Sequence, residues 1–253
     1  MQFFVEKKSI VRKIWGKPDT VLLIFAGAAA EFALNKAVDW LYFTGMLPAD
    51  PIGRLFSTVS YAGKIIFSEQ EDAFKTIDSI TAIHAGVENK RGKSIPDWAY
   101  RDVLYMLMHY SISSFEVLER KLTTAEKDEV YNVFYRFGSR MNITELPSTY
   151  NEWLHSRANH LEKDLVLSDY SLDLFKQYKK HLGTFRYYIF VESQKMVVPP
   201  KVLQLLGFPT FSSLSILLPL YKFSRLLRLD GFIKSMILPR KYKAEIKALP
   251  KDV

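Results

Sequence analysis

The residues that could bind a metal or move a proton are few. The chain carries five histidines, at positions 84, 109, 155, 160 and 181, and no cysteine. The lack of cysteine excludes thiolate nucleophiles, iron–sulfur clusters, cysteine-ligated zinc and disulfides. Glu152 and His155 form one Glu-x-x-His element. A di-iron bundle needs two such elements and two further glutamates. Every other glutamate lacks a histidine three positions on. His155 and His160 are five apart, do not share one helix face cleanly, and read as surface or interface residues. No nucleophile elbow, phosphate loop, dinucleotide fingerprint, His-Glu-x-x-His or calcium loop is present.

His84 differs from the others in its surroundings. It sits in Ile80-Thr-Ala-Ile-His84-Ala-Gly-Val87, among apolar or small neighbours. There, one imidazole nitrogen can take a metal while the other donates to a carbonyl or carboxylate. Ala85 and Gly86 leave room for a flat macrocycle. On this local pattern alone, a core histidine with its hydrogen bonds satisfied is the commoner explanation. Arg54 and Thr58 are four apart and share a helix face. Arg54 can pair a carboxylate, or the two can make an ordinary contact on a helix surface.

The elements that must position these residues read as helices, because apolar side chains recur at helical spacing and no run alternates with period two. Pro18-Asp19-Thr20 opens an apolar stretch to about Trp40, and Gly45 to Pro51 breaks it. A segment from about Ile52 to Phe67 would carry Arg54 and Thr58. Ser68-Glu69-Gln70-Glu71 predicts the start of the His84 helix, with carboxylates at the positive end of the dipole. Asn89 to Ser94 reads as a polar loop. Pro96-Asp97 opens the His109 helix, reaching roughly to Arg120. Thr123-Thr-Ala-Glu126 is a capping-box pattern for a helix to about Met141. Pro147-Ser-Thr149 starts another, and Ser171 begins a long one ending near Pro199-Pro200.

The 253 residues suffice for one sizeable core, and 18 Phe, 14 Tyr and 4 Trp suit that core or an apolar pocket. The expectation is a single all-α domain, residues 1–253, with a basic N-terminal segment (1–18) and a basic, apolar C-terminal tail (221–253). The net charge of +8 sits at those ends. Five Lys/Arg against Glu6 make residues 1–18 +4. Nine against Asp230, Glu245 and Asp252 make residues 221–253 +6, leaving the middle at −2. Such ends can attract an anionic membrane surface or nucleic acid, or merely aid solubility. No nucleic-acid-binding signature is present, so no nucleic-acid partner is expected. The start lacks a secretory pattern, and a cytoplasmic location, peripheral to the membrane at most, is expected.

Val202 to Tyr221 is 20 residues without a charged side chain, long enough to span a bilayer. Gly207, Pro209, Pro219, Gln204 and three serines favour broken helices packed on the body instead. The basic and apolar residues beyond Arg225 read as an amphipathic helix joined to the core, or as one resting on an anionic bilayer.

Order and spacing add what the single motifs lack. Asp50-Pro51-Ile-Gly-Arg54-Leu-Phe-Ser-Thr58, then Ile83-His84-Ala-Gly-Val87, Leu107-Met-His109 and Leu146-Pro-Ser-Thr149, follow in sequence. From about residue 15 to 240 this resembles the catalytic domain shared by rubber oxygenases (latex-clearing proteins) and the MpaB-type oxygenase of mycophenolic acid synthesis. The resemblance implies a globin-like all-α core around haem b, with His84 as proximal iron ligand and metal site. It implies Arg54 and Thr58 beside the haem as residues needed for a working site, and a less defined cofactor-binding role for His109. It also implies dioxygen and an apolar, isoprenoid or lipid-like substrate. Departures from the family's pattern fall at Leu34-Asn35, Asn89 and Leu107-Met108. They bear on substrate choice more than on haem binding, so rubber is not the expected substrate. Two other readings stay open, a non-catalytic haem protein such as an oxygen sensor or carrier, and a cofactor-free membrane- or lipid-binding module. Substrate, redox partner and oligomeric state are not legible in the residues.

Overall fold

The computed structural model describes residues 2–226, and the tail beyond Leu226 lies outside the described residues. The question of a core-packed or membrane-resting helix over that tail is therefore not addressed by the fold. The described part is all-α: helices joined by turns, with two isolated bridges, Phe3 to Glu69 and Asn35 to Leu165, as its extended pairings.

Two helices form the centre. α2 (Pro18–Leu34) is apolar almost all round, and a helix of that kind is stable only when enclosed. It packs lengthwise against α7 (Asp97–Leu118), which buries Leu104, Tyr105, Met108, Tyr110 and Phe115. They approach closely at Gly27, where an added Cβ would fall 2.4 Å from the Tyr110 ring. The short α1 (Ile10–Trp15) lies across both. Its Trp15 indole donates to the Ser111 hydroxyl at 3.1 Å, one way a large ring with a polar edge is buried.

The apolar stretch expected to run from Pro18 to Trp40 is interrupted. α2 ends at Leu34, and α3 (Val38–Phe43) begins after Asn35. Asn35 turns the chain with its own side chain. Its amide oxygen accepts from the Ala37 N–H at 2.8 Å, and its amide nitrogen donates to Asp102 at 2.6 Å. A side chain that bonds so close to its own backbone competes with the helix ladder. The four-residue α4 (Met46–Ala49) leads into α5 (Pro51–Ile66), whose Asp50 cap accepts from the Gly53 N–H at 3.0 Å.

α5 and α6 (Gln70–Arg91) pack as a hairpin. α6 outlasts the expected loop start at Asn89 and ends at Gly92, in the left-handed conformation. α8 (Thr124–Arg140) starts on the full Thr123/Glu126 capping box. α9 (Tyr150–Lys163) and α10 (Asp169–Lys195) follow, and α10 starts on a Ser168/Ser171 pair. α10 kinks at Gly183, where φ is 72° and ψ 167°, a region open to glycine and costly for other residues. The charge-free stretch divides, as expected, into short α11 (Pro200–Leu206) and α12 (Leu214–Leu226). Among the described residues no helix is long and apolar enough to cross a membrane.

Candidate functional site

Arg54 and Thr58 sit one turn apart on α5. The guanidinium reaches the Thr58 hydroxyl at 3.4 Å and the Ser57 hydroxyl at 3.5 Å, and Thr58 donates to the Arg54 carbonyl at 3.3 Å. Among the described residues no carboxylate pairs with Arg54. Burial pushes its pKa down, against an opposing effect of Tyr61, yet a guanidinium stays charged at any ordinary pH. The site thus holds a half-buried cation served only by long contacts to hydroxyls.

His84 faces that cation from α6. Burial, then the charge of Arg54, lower its pKa, and Glu88 one turn on partly offsets them. The imidazole is therefore neutral at neutral pH. Nδ1 is buried, and His84 makes no hydrogen bond among the described residues. Such an orphaned buried nitrogen is uncommon, and it marks a place where a partner group is owed. The ring is wedged edge-on against Tyr100 of α7, with centroids 5.2 Å apart. Tyr100 in turn donates to Glu88 at 3.2 Å, and Glu88 accepts the Ile95 N–H at 2.7 Å, so the loop after α6 is tied down beside the histidine. On the outward side α6 is bare. Ile83 is exposed, and a Cβ at Gly86 would meet nothing within 4 Å.

His109 lies elsewhere. It belongs to a buried cluster built on Glu31 of α2, the one carboxylate between Thr20 and Leu34. Arg157 of α9 grips both oxygens of Glu31, and the Tyr110 hydroxyl donates to one of them at 2.7 Å. His109 touches this group through its electrostatics and through the backbone of Val197. Its ring stacks edge-on with Tyr110, and its Nε2 is buried without a hydrogen-bond partner. Burial, then the charge of Arg157, hold its pKa down to about 4. The structure thus gathers Arg54, Thr58 and His84 in one place and sets His109 with Glu31 and Arg157.

His155 is exposed, as expected of a surface residue. His160, expected at the surface or in an interface, is mostly enclosed. Its Nδ1 hydrogen-bonds the buried Asp102 and approaches Asp164 at 3.1 Å. Burial, then repulsion from Asp102, push the Asp164 pKa up. These three residues could offer one ligand atom each to a cation, all within 4.8 Å. The hydrogen bonds between them account for the arrangement without one. Sequence spacing could not show it, because Asp102 comes from α7 and its partners from the end of α9.

A cavity of about 460 Å³ lies between α2, α5, α10 and α12, with Phe25, Leu55, Val59, Leu182 and Leu217 among its walls. Arg54, Thr58 and His84 do not line it. Leu55 and Val59 follow Arg54 and Thr58 by one residue each, about 100° further round α5. One helix therefore presents an apolar face to the cavity and a polar face to His84.

Among the described residues, the helical domain thus sets a histidine without a hydrogen bond beside an arginine without a carboxylate partner. The family model described as ER-bound oxygenase mpaB/B'/Rubber oxygenase, catalytic domain, matches residues 13–229. The chain belongs to that family, a family of oxygenase catalytic domains and hence of oxidoreductases. No curated protein and no solved structure matches the chain.

Proposed function

We propose that the protein is a haem b-dependent oxygenase acting on an apolar, isoprenoid or lipid-like substrate with dioxygen, and that His84 is the proximal iron ligand. The observation that carries the reading is the neutral His84, its buried Nδ1 without a partner, beside a cation that no carboxylate among the described residues pairs. Both side chains suit a haem, whose iron takes a neutral imidazole and whose propionates take an arginine. The bare side of α6 at Ile83 and Gly86 leaves space beside the ligand.

When bound, haem b would supply the binding and activation of dioxygen, chemistry that no side chain here provides. The chain's own residues have simpler tasks. His84 stays unprotonated because it is buried and faces Arg54. Arg54 anchors a carboxylate, and Thr58 holds the guanidinium in place. Tyr100 and Glu88 fix the imidazole's plane and the loop behind it. Single-domain organisation with basic ends belongs to the same proposal. His109 sits with the buried Glu31–Arg157 pair, and a part for it in holding the cofactor stays within this proposal.

One observation favours a cofactor-free lipid-binding module, namely that the large apolar cavity lies off the polar face of α5. A visible absorption spectrum of the protein, reconstituted with haemin and reduced, separates the readings. A Soret band that shifts with carbon monoxide supports the oxygenase, and no band after reconstitution leaves the lipid module. Oxygen uptake with an apolar alkene then separates an oxygenase from a haem carrier.

A further inference from the structure

We propose that the face formed by α12 and the outer side of α10 seats on an anionic lipid bilayer. The first ground is that α12 ties a cation inward while leaving a row of large apolar groups outside. Two of its polar groups turn inward: Arg225 reaches Asp19 at 3.3 Å and Glu119 at 2.5 Å, and the Tyr221 hydroxyl donates to Asp19 at 3.1 Å. Leu218 packs against the core, but Ile216, Leu217, Leu220 and Phe223 are 69%, 55%, 65% and 57% exposed. A helix on the surface of a water-soluble body shows the opposite pattern. The reversed one exposes a row of large aliphatic and aromatic groups at a cost in water that an apolar medium removes.

The row does not stand alone. Phe185 and Tyr188 of α10 and Phe211 before α12 are exposed too, and Tyr188 is tied to Ser213 at 2.7 Å. Phe185, Leu217 and Leu220 belong both to this surface and to the wall of the 460 Å³ cavity. The cavity therefore opens within the apolar face, where a chain leaving the bilayer can enter without crossing water.

Charge selects the kind of bilayer. Residues 221–253 carry nine Lys/Arg and three acidic residues, a net +6 that begins on α12 itself. Each basic side chain near an anionic surface adds to the attraction. Apolar insertion and this charge together supply the two signals that stable peripheral binding needs. The inference does not depend on haem.

The test is sedimentation of the full-length protein with vesicles of phosphatidylcholine alone or mixed with phosphatidylserine. The wild type should bind the mixed vesicles, and bind them less as salt rises. Ile216→Ser/Leu220→Ser/Phe223→Ser should weaken binding about tenfold or more while leaving the melting temperature and helical signal unchanged. His84→Ala should bind as the wild type does, which keeps this test separate from the oxygenase reading. Four results would overturn the proposal. One is no binding by the wild type, and another is equal binding to both vesicle types. A third is a triple variant that binds normally but melts lower, which would mean the row is covered by the chain itself. The fourth is a wild-type dimer that the triple variant splits, with no vesicle binding, which would make the partner a second copy.

Discussion

Burial, and then the positive charge of Arg54 on α5, hold the imidazole of His84 on α6 below its ordinary pKa. A fixed arginine that keeps a neighbouring histidine neutral keeps its lone pair available to a metal down to lower pH. The same arginine, with only hydroxyls at 3.4 and 3.5 Å, retains most of its own capacity for a carboxylate.

Arg54→Ala should lower haem occupancy, raise the His84 pKa and reduce turnover. Arg54→Lys should restore occupancy only in part, because an ammonium lacks the planar fork. A charge-assisted hydrogen bond contributes about 1.5–3 kcal/mol, so the loss should be one to two orders of magnitude in haem affinity. Haem titration followed at the Soret band measures it. Unchanged affinity in the alanine variant would make Arg54 a residue of the helix surface.

His109 should make stability depend on pH. Its folded pKa of about 4 lies below the ordinary 6.5. Between those values the unfolded chain binds the extra proton, so stability rises with pH there. The contribution is complete above about 6.5 and is lost as pH falls towards 4, about 3 kcal/mol in all. The charges facing the ring are Arg157 and Glu31, from α9 and α2. Denaturant melts across this window should give a flatter profile for His109→Gln than for the wild type. Parallel profiles would mean that the ring titrates normally.

Gly27→Ala should destabilise the domain by about 1–3 kcal/mol, because a methyl group there overpacks the Tyr110 ring. Elsewhere in a helix the same change stabilises by up to about 1 kcal/mol, so the sign identifies the close approach of α2 and α7. Thermal melts of Gly27→Ala beside the wild type would show it.

Arg157→Met should cost about 3–5 kcal/mol, since it leaves the Glu31 carboxylate buried without its cation. Glu31→Gln/Arg157→Met should recover part of that, because no net charge is then left inside. Chemical denaturation of the single and double variants checks this. A double variant no more stable than the single one would place the cost in packing instead.

Much of the fold could be read from local chemistry. The Thr123/Glu126 box and the apolar spacing of α5, α6 and α7 act within a few residues, and these helices form, with α6 running on to Arg91, past the expected loop start at Asn89. The break at Asn35 and the kink at Gly183 were not legible. The first depends on Asp102, 67 residues away, and the second on a single glycine inside a continuous helical pattern. Of the site, the company of Arg54 and Thr58 followed from their spacing, and the sequential order of motifs pointed to His84. The Glu31–Arg157 pair left only a faint trace, one carboxylate in an otherwise apolar α2. The Asp102–His160–Asp164 group left none, since its parts meet only through tertiary packing.

The most direct measurement is the absorption spectrum of His84→Ala beside the wild type, both purified with haem supplied. The account expects a Soret band in the wild type. It expects a colourless or weakly loaded variant, with the spectrum partly restored by added imidazole, while His155→Ala and His160→Ala keep the wild-type band. A fully loaded His84→Ala with an unchanged Soret band, together with loss of haem in another histidine variant, would contradict it.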